Sequence, residues 1–350
     1  MIRIVLALAA LLLFAPVAQA ASFDCAKAAS SFEHAICDHP DLSKADETLA
    51  QAYATALGGL SKPSADSVKA TQHDWLDYAG KACSDDAQPI SGKYNDDQAA
   101  CLLTTINDRV SSLEASRMLG GYRFYPFERF LIEKDDTAEA DSFNKVATKH
   151  YENVKIDATD DVATAFNAMT DKMRTDLDAN TTGDSDQQPL FEKGTDQLAK
   201  GDVTDDIDML TTVKSVTSYR ITLETTESWY GHGAAHPNYG LSYTHFLVSE
   251  KRPLVASDIF KGDDWKDKLG KIVVDKVKSD LGDNYFNDSE KDIPDWAADP
   301  SRWDFSDQGL VIQFNPYEVA AYAAGAVTVT IPWDQLSDML TDNGQAIAQY

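Results

Sequence analysis

The sequence lacks several motifs that enzymes and membrane proteins commonly carry. It has no glycine-rich phosphate-binding loop, no dinucleotide-binding fingerprint and no Gly-x-Ser-x-Gly nucleophile motif. After residue 20, no apolar run approaches the roughly 20 residues that a membrane-spanning helix needs. We therefore predict a protein that is not an enzyme, has no cofactor and does not span a membrane.

Basic residues are scarce relative to acidic ones. The chain has 31 Lys and Arg against 57 Asp and Glu, which gives a formal net charge of −26. Such an acidic surface repels nucleic acid, so that class of partner is excluded, and it attracts cationic partners. The alternative is that the acidic residues only keep the protein soluble, and composition does not decide between these two interpretations.

The N-terminus has the layout of a secretory signal peptide. Arg3 precedes an apolar run at residues 4–15, and a small-x-small pattern ends at Ala20. The run is shorter than the roughly 20 residues of a membrane anchor, so we expect cleavage before Ala21 and a periplasmic or secreted product. Cys25 does not lie at the cleavage point, which argues against a lipoprotein anchor.

Cysteine is also rare, and the 4 cysteines all lie in the first third of the chain, at Cys25, Cys37, Cys83 and Cys101. An even count in an exported protein predicts two disulfides, for which three pairings are possible. No CxxC pair is present, so a zinc site is the weaker alternative. We predict local pairing, Cys25 with Cys37 and Cys83 with Cys101, which would close residues 84–100 into a loop between antiparallel helices.

Hydrophobic periodicity divides the chain into two domains. Helical spacing dominates residues 21–118, where Ser43 and Asp46 predict a capping box. A Gly-Gly pair at 120–121 marks a break, and from residue 218 onward alternating patterns predict strands. We predict an α+β, two-domain protein with a signal peptide at 1–20, a small disulfide-linked helical domain at 21–118, and an antiparallel-sheet α+β domain at 119–350.

Two arginines are predicted to lie off the apolar faces of their elements. Arg109 falls outside the apolar stripe of a helix that carries Leu102 and Leu113. Arg220 alternates with Ile221 in a strand whose pattern is typical of half-buried strands. We therefore expect both guanidinium groups to face away from the core.

The most unusual local sequence is the glycine- and histidine-rich segment 229–238, which lies between two predicted strands. His232 and His236 are four residues apart, but a glycine-rich turn does not align such a pair as a helix would. Only His245 lies nearby as a third ligand. We favour a turn with hydrogen-bonded histidines, then a loop that contacts a partner, and last a metal site, so we predict no bound metal.

The first domain contains a distinctive set of cysteine, tryptophan, arginine and apolar residues. Its residues are Phe23-Asp24-Cys25, Glu33, Ile36-Cys37, Leu42, Asp46, Tyr53, Gln72, Trp75-Leu76, Cys83, Cys101, Arg109 and Leu113. In these positions the domain resembles the N-terminal domain of LprI-like lysozyme inhibitors. The chain departs from that family at Tyr78 and Lys81, where an arginine often stands.

The second domain contains several distinctive short stretches of its own. They are residues 230–237 with a Gly-Ala-His-Pro-like motif, 254–260, 309–314, 317–318, 322–325 and 329–332. Here the domain resembles the C-terminal module of RsiV-type anti-sigma factors, which also occurs with polysaccharide deacetylases. Both resemblances imply an association with lysozyme, and a strongly basic c-type lysozyme suits an acidic partner.

We therefore predict an exported envelope protein that binds and inhibits a cationic lysozyme-type muramidase. The predicted partner-binding residues lie in two loops and are Tyr230, His232, His236, Asp85, Asp86, Asp96 and Asp97. The alternative is a peptidoglycan- or glycan-binding module, whose sugar-stacking residues would be Trp229, Tyr230, Trp296 and Trp303. An accessory role in envelope-polymer enzymology is less favoured, and no residue is predicted to be catalytic.

Overall fold

The computed structural model describes residues 21–137, 145–177, 189–200 and 204–347. The predicted signal peptide at residues 1–20 lies outside the described residues. The helices are α1 (Ser31–Asp38), α2 (Pro40–Leu57), α3 (Lys62–Ala82), α4 (Asp96–Glu114), α5 (Asp161–Asp176), α6 (Ala256–Ile259), α7 (Trp265–Leu281), α8 (Ile293–Ala297), α9 (Trp333–Leu336) and α10 (Asp342–Ile347). Within the described ranges, none of the helices combines the length and apolarity needed to cross a membrane.

The strands form two sheets. They are β1 (Met118–Leu119), β2 (Tyr122–Lys134), β3 (Val146–Ile156), β4 (Asp205–Val216), β5 (Arg220–Gly231), β6 (Asn238–Leu247), β7 (Arg252–Pro253), β8 (Trp303–Phe305), β9 (Gly309–Phe314) and β10 (Val327–Pro332). The large sheet contains β1 to β7 in sequence order, and the small sheet has the order β10-β9-β8. Neighbouring strands are antiparallel except β3 and β4, which are parallel and are connected through α5.

Helices α1 to α4 form a helical region around one apolar core. Its largest buried side chain is Trp75, which packs with residues such as Leu102 and Ile106. One disulfide joins Cys25 in the opening 3₁₀ turn to Cys37 in α1, and the second joins Cys83 at the end of α3 to Cys101 in α4. The predicted local pairing is therefore confirmed, as is a helical region with two disulfides followed by a sheet-rich α+β region.

Helix α2 begins at Pro40, earlier than predicted, so the prediction of a capping box that starts at Ser43 is wrong. Pro40 occupies the start of the helix, where a proline loses no backbone hydrogen bond and already has a helical φ angle. Ser43 lies inside the helix, and its hydroxyl donates to the Ile36 carbonyl oxygen over 2.5 Å. Capping boxes occur instead at Ser30 and at Asn95, the residues before α1 and α4.

The small sheet packs with α7 and covers one face of β5 and β6. This core includes Trp303, Phe305 and Val273, which are all fully buried. Arg220 is also fully buried, and its guanidinium donates to the Ile347 carbonyl oxygen and lies 4.6 Å from the centroid of the Phe305 ring. The expectation that Arg220 faces away from the core is therefore wrong, because β5 is covered on both faces.

The helical region packs directly onto the large sheet. Tyr125 and Phe130 of β2 belong to the apolar core of the helices, and Phe130 stacks on Tyr78 of α3 with a centroid distance of 5.2 Å. At one end of this contact the hydroxyls of Ser61 and Ser64 donate to Asp157 over 2.5 and 2.7 Å. The junction between the helices and the large sheet is thus an interior with both apolar and polar contacts.

Candidate functional site

An open pocket of about 410 Å³ lies at one end of strands β4, β5 and β6. Asp206 and Asp208 line it from β4, Trp229 and Tyr230 from β5, and Tyr239 from β6. Asp206 lies directly opposite Tyr230 in the β4–β5 register, so the two side chains are neighbours on the same face. Carboxylates beside aromatic rings suit a ligand that carries a positive charge or a sugar ring.

The helical region borders this pocket through α3. Burial, together with the nearby Asp208 and Asp206 carboxylates, raises the pKa of the Tyr78 hydroxyl. Burial also raises the pKa of the Asp208 carboxyl, and the neighbouring charges of Asp206 and Asp108 act in the same direction. The pocket is therefore an acidic site beside the junction rather than an isolated feature of the sheet.

His232 lies between two carboxylates and is not a surface residue. Its Nδ1 lies 3.0 Å from Asp135 Oδ2, its Nε2 lies 3.7 Å from Asp206 Oδ2, and its side chain is 7% exposed. Hydrogen bonds from Thr137, and then from His232, lower the pKa of the Asp135 carboxyl to about 2. The direct partner contact predicted for His232 is therefore not available, and this side chain instead anchors the loop.

His236 and Tyr230 occupy more accessible positions in the same loop. The Nδ1 of His236 donates to the Pro237 carbonyl oxygen over 2.8 Å, which leaves Nε2 as the acceptor for the Tyr317 hydroxyl at 3.2 Å. The exposed His236 ring also stacks on Tyr322 at 4.1 Å between centroids. The Tyr230 hydroxyl donates to a backbone oxygen of the loop. These contacts agree with a turn that contains hydrogen-bonded histidines.

The third histidine considered for a metal site, His245, is buried elsewhere. Its Nε2 donates to the Trp303 carbonyl oxygen over 2.9 Å, and its Nδ1 lies 3.1 Å from the Thr222 hydroxyl. His232, His236 and His245 thus have separate partners, and the fold does not bring them together as ligands. Burial, followed by the charge of Arg220, lowers the pKa of His245 to about 3.

We expect His245 to make the folded protein less stable as pH falls below 6.5. Between the ordinary pKa of 6.5 and the folded-state value of about 3, the unfolded chain binds a proton that the folded chain does not. The free energy of unfolding should therefore fall by about 1.4 kcal/mol per pH unit in that window. Urea denaturation across this range should give a slope smaller by that amount for His245→Asn than for the wild type. Equal slopes for wild type and His245→Asn would contradict this assignment.

The four predicted aspartates of the helical region lie in or beside the segment 84–100 and are all exposed: Asp85, Asp86, Asp96 and Asp97. Within this segment the side chain of Tyr94 is buried, and the Gly92 amide donates to the Ser31 hydroxyl over 3.0 Å. The four carboxylates make no ion pair with another residue of the described ranges. The disulfide-closed segment thus presents unpaired negative charge on an anchored backbone.

A buried polar cluster at the junction was not found by sequence reasoning. The Arg109 guanidinium donates to Glu128 and, over 3.0 Å, to Gln72 Oε1, whereas the Ser112 hydroxyl donates to Glu152 over 2.6 Å. The expectation that Arg109 lies away from the core is therefore wrong, since the large sheet covers that face of α4. Burial lowers the pKa of Arg109 to about 10 and raises the pKa of Glu152.

Two parts of the chain match known family models. Residues 25–113 match the family described as Lysozyme inhibitor LprI, and residues 257–334 match the family described as Protein of unknown function (DUF3298). The pocket and the large sheet lie mainly between these two ranges. No functionally curated protein matches the chain.

Two DUF3298 proteins are among the solved structures to which this chain is similar. A member of the family from Bacteroides fragilis is 16% identical with a TM-score of 0.45, and the alignment covers 65% of this chain and 96% of that chain. A family member from Pseudomonas aeruginosa PAO1 is 11% identical with a TM-score of 0.44, and the coverage is 65% and 97%.

The LprI match confirms the resemblance seen in the first domain. The DUF3298 match is consistent with the RsiV-type resemblance seen in the second domain. The LprI family is non-enzymatic, and neither match identifies a catalytic family. Together with the two disulfides, the LprI match indicates an extracytoplasmic location. The chain carries a lysozyme inhibitor LprI domain at residues 25–113 and a DUF3298 domain at residues 257–334.

Proposed function

We propose that this protein binds a cationic, lysozyme-type muramidase in the periplasm or outside the cell and inhibits it. The observation that carries the proposal is the LprI match over residues 25–113, because that family is described as a lysozyme inhibitor. In this proposal the chain acts by occupying the enzyme and performs no chemistry of its own.

Charge supports the choice of a basic partner. With 57 acidic and 31 basic residues, the chain attracts a cationic protein over long range and speeds the encounter. The exposed carboxylates of Asp85 and Asp86 have no cationic partner among the described residues, so a lysine or arginine of the enzyme can pair with them without breaking an existing ion pair.

Rigidity supports the segment 84–100 as the contacting element. The Cys83–Cys101 disulfide closes the segment, and the buried Tyr94 holds its far end on the helical core. A segment that is already ordered loses little conformational entropy on binding, so more of its contact energy remains as affinity. The loop 231–238, with His236 exposed at its surface, is the second proposed contact.

Reversing two charges in the segment tests this proposal. We expect Asp85→Lys with Asp86→Lys to weaken inhibition of egg-white lysozyme about tenfold, which corresponds to about 1.4 kcal/mol. The matched control reverses Asp263 and Asp267, which are also exposed but lie in the DUF3298 domain. Inhibition would be measured as the rate of cell-wall lysis at increasing inhibitor concentration. Equal loss in both variants would mean that net charge alone matters and that the segment is not the contact.

A second candidate function is glycan binding at the pocket, which is favoured by the aromatic lining. Trp229 is 44% exposed and lies at the pocket wall, whereas Trp303 is fully buried and donates its indole N–H to the Ala297 carbonyl oxygen. Trp303 therefore cannot stack on a sugar, and Trp296 is half-buried against the DUF3298 core.

The glycan-binding candidate predicts that Trp229→Ala weakens binding to soluble peptidoglycan fragments roughly three- to tenfold. Isothermal titration calorimetry would measure the affinity, and Phe286→Ala, which removes an exposed ring remote in sequence from the pocket residues, is the matched control. Absence of heat with wild-type protein at millimolar fragment would eliminate this candidate and leave muramidase binding unaffected.

A further inference from the structure

The buried polar cluster at the junction has no role in the function proposed above. Its members come from strands β2 and β3 of the large sheet and from the facing side of α4. We propose that Glu128, His150 and Glu152 form a binding site for one divalent transition-metal ion, for which Zn²⁺ is the best match.

The positions of the potential ligand atoms fit one ion. One carboxylate oxygen from each glutamate and one imidazole nitrogen all lie within 4.8 Å of one another. Glu128 Oε1 and His150 Nε2 are 3.4 Å apart. Two ligands of a tetrahedral zinc ion, each bonded at about 2.0–2.1 Å, are separated by roughly 3.3 Å. The observed separation therefore matches one edge of a zinc tetrahedron.

The two atoms that face each other across this edge lack hydrogen bonds. Glu128 Oε1 and His150 Nε2 are buried, and neither has a hydrogen-bond partner within the described part of the chain. Glu128 is fully buried, so its unpaired oxygen is shielded from water. Leaving such atoms unsatisfied is costly, and a metal ion between them removes that cost for both.

Both glutamates also accept a hydrogen bond from a side chain of α4. Arg109 donates to the second oxygen of Glu128, and Ser112 donates to Oε2 of Glu152 over 2.6 Å. The second nitrogen of His150 lies 3.8 Å from Asp208 Oδ1. Metal ligands in proteins characteristically have such outer partners, which fix the ring and carboxylate orientations.

The charge of the cluster favours a cation. Besides the two glutamates, the Asp208 carboxylate lies 3.8 Å from His150 Nδ1, and Asp108 lies within electrostatic range of the same imidazole. Arg109 is the cation within this group, and it occupies the oxygen of Glu128 that faces away from His150. A divalent ion would offset the remaining negative charge without displacing Arg109.

The position of the site shows how an ion could reach it and which contact a bound ion would stabilise. His150 is 15% exposed and Asp208 is 50% exposed at the pocket wall, so an ion enters from the pocket. The ligands belong to the sheet, whereas Arg109 and Ser112 belong to α4. A bound ion would therefore stabilise the contact between the LprI helices and the large sheet.

Metal titration of the chain from residue 21 onward, without a histidine tag, tests this proposal. After removal of metal with a chelator, we expect one equivalent of Zn²⁺ to bind in calorimetry. At about 100-fold excess over the dissociation constant, the midpoint of thermal unfolding should rise by roughly 5 °C, and the chelator should reverse the rise. Glu152→Gln and His150→Gln should each abolish the rise, whereas His236→Gln, a change at an exposed histidine, should retain it.

Three results would overturn the proposal. They are the absence of stoichiometric binding of Zn²⁺, Mn²⁺ or Co²⁺ to wild type, a thermal shift that survives in Glu152→Gln, and a shift that disappears in His236→Gln. If either cluster variant fails to fold, X-ray absorption of the zinc-loaded wild type decides. It should show one nitrogen from a single imidazole with oxygen ligands at about 2.0–2.2 Å, and two or more imidazoles would refute the assignment.

Discussion

Replacing Arg109 with methionine should lower the free energy of unfolding by about 4 kcal/mol. Arg109 is 2% exposed, and its ion-pair partner Glu128 is fully buried. Methionine fills similar space but leaves the Glu128 carboxylate in the junction without its counter-charge, and an uncompensated buried charge is strongly destabilising. This loss of stability should affect both the helical region and the large sheet, because Arg109 and Glu128 join α4 to β2.

Urea denaturation with far-UV circular dichroism measures this loss. Lys172→Met is the matched control, because it breaks the solvent-exposed ion pair with Asp176 on α5 and should cost no more than about 0.5 kcal/mol. Combining Arg109→Met with Glu128→Gln should restore part of the lost stability, since no unpaired charge then remains. A loss below about 1 kcal/mol for Arg109→Met would show that the pair is not buried as described.

Removing the Cys83–Cys101 disulfide by a double change to serine should destabilise the protein by about 3 kcal/mol. The bond closes a chain segment with a sequence separation of 18, and the second disulfide, Cys25–Cys37, closes one of 12. Chain-entropy arguments give nearly equal stabilisation for these two lengths. Only the first bond, however, constrains the segment 84–100 that we propose as the muramidase contact.

The two double-serine variants therefore separate stability from function. We expect similar losses in urea denaturation for both, but a loss of lysozyme inhibition only for the Cys83–Cys101 variant, measured at a temperature where both remain folded. Inhibition that survives in this variant would show that closure of the segment is not needed for binding. Equal loss of inhibition in both would point to the whole helical region instead.

Much of the helical structure is predictable because helices follow from the spacing of apolar residues that are close together in the sequence. The spacing of Val68, Trp75 and Ala79 predicts α3, and the fold buries these three side chains. Disulfide pairing follows from the same helices, because each bond joins segments that are close in sequence. Helix α7 is likewise predictable, including its end at Gly282, where φ is +53°.

Strands β2 and β3 are not predictable from alternation, because buried polar residues interrupt their apolar pattern. Glu128, Lys149 and Glu152 are all buried, although each would normally indicate a solvent-facing position. Their burial depends on partners distant in sequence, such as Arg109 for Glu128. The same dependence concealed the proposed metal site, whereas the exposed aspartates of the segment 84–100 were visible as a polar run between helices.

The most direct test of the proposed function is the equilibrium binding of this chain, from residue 21 onward, to egg-white lysozyme. Calorimetry at about 0.15 M salt should show a 1:1 complex with a dissociation constant of about 1 μM or lower, weakening as salt rises. Lysozyme whose lysines have been succinylated should bind at least tenfold more weakly, since its positive charge is removed. Absence of binding to native lysozyme at micromolar concentrations, or equal binding to both forms, would contradict the account.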